Sequence, residues 1–207
     1  MPTIGRLITI LTLANLLLGC TGSNTPDLEP AEISPTPSPN PKYLVYRALI
    51  EAQFLSEAGI QRIVIQDHTG VGPTAGGDLE AQAAYIQKSF GQALDPQTLE
   101  DFRQANEASQ PLADQFGLNV PVILIDQTTQ QGLFESDADG WQQFYTDYPG
   151  AQGILTLSGV GFNTAGNQAL VYVGNQADFL AGRGSYVLLV KQGDDWVIQD
   201  SLTAWIS

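Results

Sequence analysis

The chain has one histidine, His68, set between Asp67 and Thr69 after the apolar run 62–66 and before a glycine-rich stretch. An imidazole oriented by a carboxylate is the minimal set for general-base chemistry. Side chains adjacent along a strand leave on opposite sides, however, so Asp67 is a poor orienter for its own neighbour. A catalytic His68 would then need a distant carboxylate, and a loop histidine that only makes hydrogen bonds is the plainer expectation. Asp126 closes a second apolar run. If the two runs are neighbouring strands, Asp67 and Asp126 share one sheet edge, as glycosidase carboxylates do; two solvated strand ends are the simpler alternative. Arg183, between Gly182 and Gly184, reads as a basic residue in a glycine-flanked turn, where it could clamp an anion. Ser158 fails as an activated nucleophile because Thr156 stands where a nucleophile elbow needs glycine.

No cofactor or metal is expected. Gly70, Gly72, Gly76 and Gly77 are not followed by the Lys-Ser/Thr of a phosphate cradle, so they read as a surface loop. Asp137 and Asp139 begin like a calcium loop, but the later ligands are missing from their spacings. Asp at a helix start explains them better. One histidine and one cysteine also make a poor zinc set.

The elements that would position these residues follow from periodicity. Positions 43–57 read as an amphipathic helix with Leu44, Ala48, Ala52 and Leu55 beside Val45 and Leu49 on its inner face, and Gly59 after its end. Residues 62–66 form a β-branched run, hence a strand. A second helix spans 79–90, and Asp95-Pro96 opens a third as N-cap and first-turn proline. Residues 121–126 are another strand. Positions 137–148 form a helix whose stripe of Trp141, Phe144, Tyr145 and Tyr148 is more consistent with core than with a ligand platform. After Pro149-Gly150 comes an antiparallel meander of strands at 153–162, 168–174, 185–191 and 195–202. In the first of these, Gly159 and Gly161 signal a bend or a close approach by another element. The expected fold class is α+β, with helices mainly in the N-terminal half packed on a mostly antiparallel sheet that ends in a C-terminal meander.

The N-terminus has a different character. Arg6 precedes the apolar stretch 7–18, about a dozen residues and short of the roughly 20 that cross a bilayer. Leu17-Leu18-Gly19-Cys20 then ends the stretch on the chain's only cysteine. This resembles the lipobox of bacterial lipoproteins. The resemblance implies a signal peptide over 1–19 and acylation of Cys20, through which the mature chain would be held to a lipid bilayer in the cell envelope. One acyl chain binds a membrane marginally, whereas two or more anchor it stably. Thr21 follows, where Asp would imply inner-membrane retention, so the outer membrane is the expected address in a two-membrane cell. With Cys20 consumed, no thiol is left for a disulfide or a nucleophile. Residues 20–42 carry Pro26, Pro30, Pro35, Pro37, Pro39 and Pro41 and read as an extended tether, reaching on the order of 60 Å at about 3.1 Å per residue. The globular domain is then 43–207.

A second resemblance lies in the last third. The string from Leu157-Ser158-Gly159-Val160-Gly161-Phe162-Asn163, through Gln168 to Val173, to Leu180-Ala181-Gly182-Arg183-Gly184-Ser185-Tyr186-Val187 and on to Trp196 and Trp205, resembles a bacterial domain family of unknown function. Some such relatives place a cysteine pair near the positions held here by Ala177 and Ala181, so any role of that pair is absent. The resemblance marks a fold and transfers no catalytic residue.

Composition narrows the partners. The chain has 22 acidic and 8 basic residues, a net charge of −14, with Arg6 leaving alongside the leader. Without a basic cluster, nucleic acid is excluded as a partner class. The leading expectation is a non-enzymatic envelope domain that binds an unknown envelope protein or small ligand. The alternatives are a hydrolase built on His68 and a structural or assembly factor.

Overall fold

Among the described residues seven strands form one sheet in the order β2-β1-β3-β5-β6-β7, with the short β4 paired to β5. They are β1 (Arg62–Gln66), β2 (Val122–Ile125), β3 (Ala151–Leu157), β4 (Gly161–Phe162), β5 (Gln168–Asp178), β6 (Ala181–Gln192) and β7 (Asp195–Ile206). The helices are α1 (Pro41–Gln53), α2 (Leu79–Phe90), α3 (Pro96–Ala105), α4 (Gln127–Phe134) and α5 (Gly140–Asp147). This computed structural model describes residues 40–56, 58–71, 79–135 and 139–207. The expected leader with Cys20, the expected tether up to position 39, the glycine-rich positions 72–78, and Asp137 lie outside the described residues. The architecture is α+β, as the periodicities imply. Among the described residues no helix is long and apolar enough to cross a membrane.

Each sheet face has its own cover. Ile63, Ile65, Leu155, Leu157, Val171, Val173, Val187 and Leu189 pack on one face against Val45, Tyr46, Leu49 and Ile50 of α1 and against Phe116. On the other face, α2 and α3 pack through Ile86, Phe90 and Phe102 on Leu170, Tyr172, Tyr186 and Leu188. Trp141 and Phe144 of α5 cover Val64, Ile125 and Ile154 on that same face, so the aromatic stripe is core there, with Tyr145 exposed. Alternation along each strand divides these sets, as period two requires.

Three expectations need correction. Helix α1 begins at Pro41, not at Tyr43: the Asn40 side chain accepts from Lys42 N, and Pro41 occupies the first turn, where its missing donor costs nothing. The last proline assigned to the expected tether is therefore a helix starter. The inner face of α1 is also rotated. Tyr43, Val45, Tyr46, Leu49 and Ile50 are buried, while Ala52 is exposed. The two tyrosines can go inside because each hydroxyl finds a partner: Tyr43 accepts from Ala113 N at 2.8 Å and Tyr46 donates to Ser158 O at 2.6 Å. Third, the expected strand over 153–162 breaks at 158–160 into β3 and β4. A Cβ on Gly159 would lie 2.6 Å from Ala105 O, and one on Gly161 would lie 2.2 Å from Phe102 N. The close approach expected of these glycines is thus made by α3.

Helix α3 also supplies hydrogen bonds that a strand would have given. Asn106 Oδ1 accepts from Gly159 N at 2.8 Å, its Nδ2 donates to Gly159 O at 3.2 Å, and Asp101 Oδ2 accepts from Phe162 N at 2.7 Å. The Asp95 N-cap is present as expected, accepting from Gln97 N at 2.9 Å.

Burial of tyrosines makes the fold sensitive to alkali. Tyr186 is 3 % exposed, and burial pushes its phenol up to about 12. Burial raises Tyr172 and Tyr46 as well. A folded-state pKa above the unfolded value of about 10 means that the native state keeps a proton the unfolded chain releases. The stability tied to Tyr186 is therefore present below about pH 10 and lost as pH rises to about 12, at most about 2–3 kcal/mol. Urea midpoints measured across that window should fall with pH, and Tyr186→Phe should flatten the fall.

Candidate functional site

Strand β1 is paired in parallel with both neighbours, Ile63 with Val122 on β2 and Ile65 with Leu155 on β3. The rest of the sheet is antiparallel. In sheets with parallel strands, ligands tend to bind beyond the strands' carboxyl ends. A cleft of about 630 Å3 opens there, and Gln66, Asp67, His68, Gln127, Gln131 and Phe134 are among its walls.

The platform bearing His68 is fixed from both sides. Asp67 N donates to Ile125 O at 2.9 Å, and Leu112 N to Asp67 O at 2.7 Å. His68 forms an antiparallel bridge with Pro111, and Gly70 N donates to Leu157 O at 2.9 Å. Strand β1 stops at Gln66, so the alternation that was to separate Asp67 from His68 no longer applies. His68 Nδ1 lies 2.8 Å from Asp67 Oδ1. A carboxylate only accepts, so Nδ1–H donates, and in the neutral ring Nε2 then keeps its lone pair. The orienting carboxylate is thus the adjacent one and not a distant one. The pair is solvent-accessible, with the His68 side chain 54 % and the Asp67 side chain 31 % exposed.

Asp126 stands at the same end, beside Ile125, which pairs with Gln66. The two acidic strand ends are therefore neighbours, but Asp126 serves as the N-cap of α4, accepting from Thr129 N at 2.6 Å. That backbone hydrogen bond holds its carboxyl below the usual carboxylate range. Asp126 is not a wall of the cleft. The hydroxyls nearby are spent on the backbone: Ser109 Oγ donates to Thr69 O at 2.7 Å, and Thr69 Oγ1 accepts from Gln110 N at 2.9 Å. Gln66 and Gln130 bond each other at 2.9 Å, while Gln127 and Gln131, one turn apart on α4, are exposed.

Arg183 is elsewhere. It lies inside β6, opposite Asn175, and not in a turn, because β5 and β6 run on to a tip at Phe179-Leu180. It lines a separate cleft. Of the expected glycine-rich loop, Gly72, Gly76 and Gly77 lie outside the described residues. Among the described residues no three His, Cys, Asp or Glu side chains gather as a metal site would need.

Sequence reasoning missed the amides of the cleft because it missed α4. The signal was present in Asp126 as an N-cap, but the first turn, Gln127-Thr128-Thr129-Gln130, has no apolar residue to set a period. Comparison of the chain with family models, curated proteins and solved structures finds no match to any of them.

Proposed function

We infer that the chain is a lipid-anchored protein of the bacterial cell envelope whose domain binds a small polar ligand in the His68 cleft without transforming it. The anchor rests on the lipobox-like residues ending at Cys20. In a cell with two membranes the outer one is the address that Thr21 suggests. The observation that carries the binding reading is the inventory of the cleft. It offers exposed glutamine amides and a rigidly seated imidazole–carboxylate pair, while its hydroxyls are already bonded to backbone. Such groups donate and accept hydrogen bonds in several directions and provide no activated nucleophile.

The natively produced chain tests both halves. Its intact mass should show Cys20 acylated and residues 1–19 removed, and Cys20→Ser should move the protein from the membrane fraction to the soluble one. An unmodified thiol with the leader attached would end the anchor reading. Native mass spectrometry of the acylated chain after exposure to envelope hydrolysate should retain a small polar species. Gln131→Ala should lower that retention about tenfold, the loss of one or two good hydrogen bonds. Retention unchanged in both Gln131→Ala and His68→Ala would remove the cleft from the account.

A second reading is favoured by the 2.8 Å contact between His68 and Asp67, which could poise Nε2 to take a proton from water. On that reading the species exposed to the wild type would be recovered hydrolysed, and intact from His68→Ala.

A further inference from the structure

The Arg183 cleft, about 480 Å3, opens on the α1 face of the sheet just beyond the end of that helix, with Phe54, Ile60 and Val173 among its walls. No carboxylate of the described residues lines it. In a chain of net charge −14 that local sign is unusual. Arg47 and Arg103 are each paired to a glutamate of their own helix, to Glu51 at 3.0 Å and Glu100 at 2.7 Å. Arg183 meets no carboxylate among the described residues; its Nη2 donates to Thr203 Oγ1 at 3.3 Å, which leaves most of the guanidinium fork unused.

Two neighbours share its direction. Ser185 is two residues along the same strand and therefore on the same face, and Asn175 is directly opposite Arg183 on β5. Ser185 is 4 % exposed, and its hydroxyl makes no hydrogen bond among the described residues. Asn175 Nδ2 donates to Gln152 O at 3.0 Å, which fixes the amide and leaves Oδ1 buried without a partner among the described residues. Buried polar atoms are nearly always satisfied, so an orphaned acceptor beside an unused cation and an unused hydroxyl needs an explanation.

We propose that this cleft is a second ligand site and that it takes an N-acylated amino acid. The carboxylate meets Arg183 and the Ser185 hydroxyl, the amide N–H meets Asn175 Oδ1, and the side chain lies against Phe54, Ile60 and Val173. The volume is within the usual range for small-molecule pockets, and no wall residue is shared with the His68 cleft. The two sites therefore stand or fall separately.

The test uses the full acylated chain in detergent micelles and fluorine NMR of N-acetyl-para-fluorophenylalanine, with its neutral carboxamide as comparator. The carboxylate probe should broaden in the presence of the wild type. Arg183→Gln should weaken its binding about tenfold or more, the loss of a charge-assisted hydrogen bond, and Arg183→Lys should fall between. The carboxamide should show no difference between wild type and Arg183→Gln. Arg183 is exposed, so the variant should fold, which circular dichroism checks. Equal broadening of the carboxylate probe by wild type and Arg183→Gln, or none at millimolar concentrations, would overturn the assignment.

Discussion

Gly161→Ala should destabilise the protein by about 3 kcal/mol or more, a large effect for one methyl group. The cause is distance. A Cβ at position 161 would lie 2.2 Å from Phe102 N and 2.5 Å from Phe102 Cα. Both are backbone atoms of α3, so no rotamer change relieves the overlap and the helix itself must move. Moving it strains the bonds from Asp101 to Phe162 N and from Asn106 to Gly159, and lifts Phe102, 2 % exposed, off Tyr186 and Leu188. Overpacking of a side-chain contact costs about 1–3 kcal/mol, and a backbone contact has fewer ways to relax. Gly132 is the internal control. It sits within α4 with nothing within 4 Å of the added atom, so Gly132→Ala should stabilise by about 0.5–1 kcal/mol through helix propensity. Urea denaturation of the two variants reads both signs. A Gly161→Ala protein of wild-type stability would mean that α3 does not sit on β4 as described.

Much of this contact was legible beforehand. Glycines at 159 and 161 in a mostly apolar strand mark a place where another backbone comes near, and Asp95-Pro96 fixes where α3 begins. Which element would approach was not legible, because nothing local says that 96–105 returns to cover 159–162. The strands of the meander were found but cut short. Asn175 and Gln176 have weak strand preference, yet pairing with Arg183 and Gly182 carries β5 and β6 to the tip at Phe179-Leu180. For the candidate site, His68, Asp67 and Asp126 were visible by type, but their relation was not. The alternation argument that set Asp67 against His68 assumed a strand, and the strand had ended one residue earlier. Arg183 failed the same way in reverse: its flanking glycines suggested a turn, whereas Gly184 makes room for Trp205, whose indole nitrogen would lie 2.0 Å from an added Cβ.

Ser158→Ala should cost about 2–3 kcal/mol although Ser158 has no claim to catalysis. At this position the β3–β5 ladder is half replaced by side chains. Ser158 N donates to Tyr172 O at 3.0 Å, as an antiparallel pair requires. The return bond from Tyr172 N goes to Ser158 Oγ at 2.7 Å, because the carbonyl of Ser158 accepts instead from the Tyr46 hydroxyl at 2.6 Å. Ser158 is 0 % exposed, so alanine there leaves Tyr172 N–H without a partner or water. Tyr46→Phe, which orphans only a carbonyl, should cost less, about 1–2 kcal/mol. The double variant should be better than the sum of the two. With both hydroxyls gone, the carbonyl of residue 158 has lost its competing donor and can turn back to Tyr172 N, restoring the ladder bond. A double-mutant cycle in urea should therefore give a favourable coupling of about 1 kcal/mol, within the range for residues sharing one network. Strict additivity would show that the Tyr46 hydroxyl does not hold that carbonyl away from the sheet, and that α1 contributes to this face through its apolar side chains alone.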